Sequence, residues 1–202
     1  VREAVRRPGG GRGGLTPAAF GLAPPRRSER ARWSAAGERP PDRAVFYRLG
    51  RPPGLAKQPH LLIEPGDVED TALIPGDPGR VDRIASQCDD VETVAENREY
   101  KLVNATYDGV PLTICSTGIG CPSAAIAVEE LAAVGVDTLI RVGTTGPLQS
   151  GIEIGDMVVA TGAAKAEGTS KRYEDATVPA VPNYDVLSAL VDGAEANGED
   201  VH

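Results

Sequence analysis

Apolar residues follow no regular period over the first 55 positions, then settle into short runs separated by glycine- and proline-rich turns. TALIPGDP (Thr71–Pro78) is a short apolar strand stopped by a Pro-Gly-Asp-Pro turn. PGRVDRIASQ predicts a helix with Pro78 in its first turn, where a missing N–H costs nothing, and with Asp77 placed to cap it. Arg98–Gly118 holds two β-rich runs around Asp108-Gly109, the signature of a hairpin. GIGCPSAAIAVEELAAVGV opens on glycines and Pro122. Its Ala124, Ala127, Val128, Leu131 and Ala132 then follow the stripe of a helix with one buried side, which leaves Glu129 and Glu130 on the solvated face. DTLIRVGTTG reads as a buried strand ending in a polar loop, DMVVATGAAKA as another strand, and Val186, Leu187, Leu190, Val191 and Ala194 as the stripe of a last helix.

Strands and helices alternate, so the fold class is α/β. The sequence given stops at Glu199-Asp200-Val201-His202, just past a helix, where a strand is expected next. The sheet therefore reads as incomplete at its C-terminal end.

Charge divides the chain in two. Residues 1–55 carry 12 Arg, no Lys and four acids, a balance of +8; residues 56–202 carry nine basic residues and 25 acids, a balance of −16. The first part, with GGGRGG and GERPPDR, cannot bury enough apolar surface to offset its ordering entropy. It reads as a disordered basic extension or as upstream sequence translated from a misplaced start; a basic arm for RNA or an acidic partner is the functional alternative. The acidic part is an unsuitable surface for nucleic acid, and its dense carboxylates with few lysines fit a salt-rich, halophilic cytoplasm. Cys88, Cys115 and Cys121 are odd in number and lack zinc spacing, which points away from disulfides or a metal centre. Cys115 reads as a small core residue, and no apolar run approaches the length of a membrane span.

Three loops follow apolar strands: Gly76–Arg80, Ser116–Gly120 and Arg141–Gly146. Ligands of α/β sheets gather beyond the carboxyl ends of strands, and each loop offers glycines whose N–H groups can approach an anion. Arginine grips phosphate oxygens through paired hydrogen bonds and stays charged. After residue 55 only Arg80, Arg83, Arg98, Arg141 and Arg172 occur, and Arg141 lies inside the apolar LIRVG run. A charge there calls for an anionic partner, either a ligand or a structural carboxylate. Walker, GxSxG and HExxH signatures are absent, and no GxGxxG follows a strand.

Taken together, PGDPGRVDRIA, NREY, ICSTGIGCPSAAIAVEELAAVGVDTLIRVGTTG and IGDMVVATGA stand in an order and spacing that resemble the uridine phosphorylase branch of the nucleoside phosphorylase family, from about Gln58 to His202. The resemblance implies a mixed, curved central sheet flanked by helices. It implies that Gly76, Arg80, Arg141 and Thr144 bind inorganic phosphate as co-substrate, with Arg80, Arg141 and Thr144 as the catalytic positioning set. Arg98 would reach the phosphate of a neighbouring subunit and His60 the ribose 5′-hydroxyl across a dimer. His60 stands about two residues closer to the PGDP turn than in familiar relatives. Thr144 would also meet the ribose, and Thr145 and Gly146 would line the base pocket. Glu99, Ile119 and Ser123 match positions that in some members hold a monovalent cation such as K⁺; no other cofactor is implied. The assembly would be a dimer, or a hexamer built from such dimers.

The reaction so implied is phosphorolysis of uridine, in which phosphate attacks the anomeric carbon as the base departs and no protein nucleophile is needed. A purine nucleoside phosphorylase is the alternative within the class, since only Thr144-Thr145 argues for the uridine branch. A truncated, non-catalytic product is the alternative outside it, because the family's ribose-binding Glu/Met segment and base-reading Gln and Arg would fall beyond His202.

Overall fold

The computed structural model describes residues 57–202. The predicted extension of residues 1–55 lies outside the described residues. The first strand, β1 (Thr71–Pro75), is followed by helix α1 (Pro78–Ala85) and strands β2 (Asp89–Asn97), β3 (Tyr100–Tyr107) and β4 (Val110–Cys115). Helix α2 (Cys121–Val134), strand β5 (Thr138–Val142), a short 3-10 turn (Ser170–Arg172) and helix α3 (Tyr184–Ala196) complete the order.

The five strands form one mixed sheet in the order β2-β3-β4-β1-β5. β1 pairs parallel with β4 on one side and with β5 on the other, while β2, β3 and β4 form an antiparallel meander. Two-residue periodicity sends alternate side chains to opposite faces. Ala72, Ile74, Leu102 and Cys115 join Ala127, Leu131 and Val134 of α2 in one core, together with Leu61 and Ile63 from the preceding loop. Leu73, Val103, Leu112 and Ile114 join Val81, Ile84 and Ala85 of α1 in the other.

Local chemistry explains the boundaries. Asp77 caps α1 by accepting the Gly79 N–H at 3.0 Å, as expected from its position before Pro78. In the β3–β4 hairpin Tyr107 faces Val110, and the two turn residues between them adopt φ values of 48° at Asp108 and 77° at Gly109. Positive φ at both positions matches the right-handed twist of the strands.

Four expectations are corrected. First, β2 is a strand that the sequence pattern hides. Two register irregularities, between Asp89 and Glu92 and between Thr93 and Ala95, break its alternation, and its turn into β3 uses Arg98-Glu99 with Arg98 at φ 55° instead of a glycine. Second, Asp156–Ala166 is not a strand; it makes only isolated bridges, Met157 to Val201 and Ala163 to Ala180. Third, β5 is half-buried rather than buried, because it lies at the sheet edge with Arg141 exposed.

Fourth, the buried face of α2 comprises Ala127, Glu130, Leu131 and Val134, whereas Ala132 is exposed. The stripe is rotated because Glu130 can enter the core edge, where it meets two backbone N–H donors and a ring nitrogen of His60. Glu129 is half-buried as well and engages the Tyr173 hydroxyl.

Leu131 is fully buried between α2 and the sheet. Leu131→Ala is expected to lower the unfolding free energy by about 3 kcal/mol, read from urea denaturation. A loss below about 1 kcal/mol would mean that this core does not carry the fold.

Candidate active site

Because β4, β1 and β5 run parallel, their carboxyl ends meet at one edge and bring all three glycine loops together. The loop after β4 is locked to its neighbours. Thr117 donates its N–H to Pro75 O at 2.9 Å, and the Ser116 hydroxyl donates to Glu99 O while accepting the Lys101 N–H, both at 2.7 Å. Both side chains are essentially inaccessible. These bonds fix the β2–β3 turn, and with it Glu99, beside Gly118.

Gly118 sits at φ 69°, and a Cβ there would come within 2.9 Å of both Glu99 Cγ and Ser123 Oγ. Only glycine allows this approach. Gly76, Asp77, Pro78, Glu99, Gly118, Ile119 and Ser123 line a cleft of about 430 Å³. The Gly120 position that opens α2 makes no side-chain cap, and the end of the helix lies beside the cleft.

Two arginines close on the same edge. Arg141 Nη1 donates to Ile74 O at 2.9 Å and to Val142 O at 3.0 Å, which folds the guanidinium over the end of β1. Its Nη2 would lie 3.2 Å from a Cβ on Gly76. Among the described residues no carboxylate pairs with Arg141. Arg80, in the first turn of α1, donates from Nη2 to Thr144 Oγ1 at 3.0 Å and so ties the first loop to the third. Gly76, Arg80, Arg141 and Thr144 are thus one group. Thr145 and Gly146 continue the same exposed loop.

His60 and Arg98 lie apart from that group but are linked to each other. Asn97, the residue before Arg98, donates its side-chain amide to His60 O at 2.8 Å. The His60 ring is held by Glu130, with Nδ1 2.5 Å from Oε1. Sequence reasoning placed Glu130 on the solvated face and assigned it no role; the signal available was a carboxylate three residues after an alanine and one before a leucine of the buried stripe.

Glu99, Ile119 and Ser123 all line that cleft. Among the described residues no group of three His, Cys, Asp or Glu could hold a metal ion. Cys115 is no candidate nucleophile. Burial, with a smaller effect of the Glu130 charge, pushes its thiol up to about 12.

Two outcomes are expected. A thiol reagent at pH 8 should modify exposed Cys121 readily and Cys115 only after unfolding; rapid labelling of Cys115 in the folded protein would contradict its place in the core. Gly76→Ala should displace the Arg141 guanidinium and weaken phosphate binding by about tenfold, measured as the phosphate dependence of thermal stability. Unchanged affinity would separate Gly76 from any anion site.

Comparison with known proteins places this geometry. Residues 70–202 match the family model described as the phosphorylase superfamily. The chain is 71% identical over 148 residues to the guanosine phosphorylase of Halorubrum lacusprofundi, covering 73% of this chain and 61% of that protein. It is 50% identical over 145 residues to the uridine phosphorylase of Thermococcus kodakarensis, covering 72% of this chain and 52% of that protein. Among solved structures, a uridine phosphorylase from Vibrio fischeri superposes with a TM-score of 0.70 at 41% identity, covering 73% of this chain and 60% of that one. A purine nucleoside phosphorylase from Toxoplasma gondii gives 0.71 at 37% identity, covering 73% and 60%. The chain therefore spans between half and two thirds of the length of the relatives it matches. Sequence, sheet and loop arrangement agree, and the chain belongs to the phosphorylase superfamily.

Proposed function

We propose that the protein carrying this chain catalyses phosphorolysis of a nucleoside, with uridine as substrate, releasing the free base and ribose 1-phosphate. The observation that carries the proposal is the convergence of Arg80, Arg141, Thr144 and Gly76 at the carboxyl ends of β1 and β5, with Arg141 unpaired by any described carboxylate. Relatives named uridine phosphorylase at 41% and 50% identity support it.

Phosphate would bind between Arg80 and Arg141, with Thr144 and the Gly76 backbone completing its shell. Its oxygen forms the new bond to the anomeric carbon while the bond to the base breaks, and the base leaves with the bonding electron pair. The sugar becomes oxocarbenium-like between the two events. Fixed guanidinium groups hold the anion against that developing positive charge without reorganising, which is how such a site lowers the barrier. Phosphate is itself the nucleophile, in keeping with the buried, protonated Cys115. Thr144 would also meet the ribose, and Thr145 and Gly146 would border the base.

His60 and Arg98 serve the site of a neighbouring subunit in this reading, which makes a dimer the smallest complete unit and a hexamer of three dimers a further step. Their linkage through Asn97 supports the idea, since both would then travel as one surface. Glu99, Ile119 and Ser123 would hold K⁺ and brace the interface. The −16 balance of residues 56–202 suits a salt-rich cytoplasm. Among the described residues no helix is long and apolar enough to cross a membrane.

A purine substrate is the second reading, favoured by the 71% identity to a guanosine phosphorylase. The deciding assay follows phosphate-dependent release of uracil, guanine and hypoxanthine from their nucleosides in high salt. Uracil release supports the first reading, and purine release without uracil moves the assignment to the second. Release of no base would mark the chain as a non-catalytic product. Arg141→Ala should lower kcat/KM by about 100-fold or more in an active protein; a loss under about threefold would remove Arg141 from the site.

A further inference from the structure

Glu130 stands out among the carboxyl side chains of the described residues. It is only 7% exposed, it lies on the core-facing side of α2, and it belongs to neither the cleft nor the arginine group. Its two oxygens receive three nitrogens. Leu61 N–H donates to Oε2 at 2.7 Å, His60 N–H is shared between both oxygens at 3.2 Å, and His60 Nδ1 lies 2.5 Å from Oε1.

Backbone N–H groups can only donate, so both oxygens are already acceptors. A carboxylate has no hydrogen to offer, and the hydrogen in the ring contact must therefore sit on Nδ1. The other titratable neighbours do not compete for it. The Tyr100 hydroxyl donates to Ser123 O at 3.1 Å, and the Cys115 thiol is directed to Ser116 O at 3.4 Å. A neutral imidazole protonated at Nδ1 carries its lone pair on Nε2. The ring remains about one third exposed, with its backbone carbonyl held by Asn97. Glu130 thus holds the ring through Nδ1, and Asn97 holds the backbone that carries it.

We propose that Glu130 is a positioning residue that holds His60 in the Nδ1–H tautomer, so that Nε2 meets its ligand as a hydrogen-bond acceptor and selects a sugar bearing a free hydroxyl donor. Selection of the 5′-hydroxyl rests on the nucleoside reading above; the tautomer does not. The consequence for substrate class is definite. A nucleoside presents a donor at that position, whereas a 5′-deoxynucleoside presents none and a 5′-phosphate dianion presents only acceptors.

Two measurements test it. The first is the two-bond proton–nitrogen correlation spectrum of the histidine rings in the native protein at pH 8.5, where His60 should show a protonated Nδ1 and a bare Nε2. Glu130→Gln should shift it toward the Nε2–H form that predominates for a free histidine side chain. A native spectrum with hydrogen on Nε2 would overturn the proposal, and that spectrum requires no variant to fold.

The second compares kcat/KM for a nucleoside and its 5′-deoxy analogue. The native preference should be about tenfold, the worth of one hydrogen bond. His60→Ala should abolish it, and Glu130→Gln should reduce it with the KM for phosphate unchanged. Equal losses on both substrates would make Glu130 a structural anchor alone. Absence of any phosphorolysis would fall on the proposed function, while the spectrum would still decide the tautomer.

Discussion

Parallel pairing of β1 with strands on both sides is the constraint from which the site follows. Parallel neighbours cannot be joined by a tight turn, so the chain must leave β1 and β4 through helices before it returns. α1 covers one face and α2 the other. The loops opening those two helices and the loop after β5 consequently share one edge. Glycines at 76 and 118 then let main chain and side chains approach more closely than a Cβ would permit. The anion site is a product of topology first and of side chains second.

Much of this was legible in the residues because the decisive signals are local. Pro78 after Asp77 marks a capped helix, Asp108-Gly109 marks a two-residue hairpin, and the apolar runs of β1, β4 and β5 end in glycine loops. Where the signal depends on partners distant in sequence, the pattern misleads. β2 is an irregular edge strand whose identity comes from its pairing with β3, not from alternation. Asp156–Ala166 has strand composition but finds only isolated bridges among the described residues. Glu130 looks solvated on a helical projection because its three donors lie about 70 residues upstream.

The candidate site divides along the same line. Arg80, Arg141, Thr144 and Gly76 are brought together by strand order, which alternation of elements makes readable. The placement of His60 depends on Glu130 and Asn97, two contacts that no spacing announces. Electrostatics reinforces the arrangement. In a segment with 25 acids and nine basic residues, two arginines left without described carboxylate partners at one sheet edge form an isolated positive spot.

The bonds between Glu130 and the segment before β1 separate anchoring from chemistry. Two of its three donors are main-chain N–H groups, which any residue other than proline supplies. The path of the chain over the core is therefore largely indifferent to which side chain occupies position 60. The imidazole is an addition to a scaffold that persists without it, so this position is free to be retuned while the fold beneath it stays as it is.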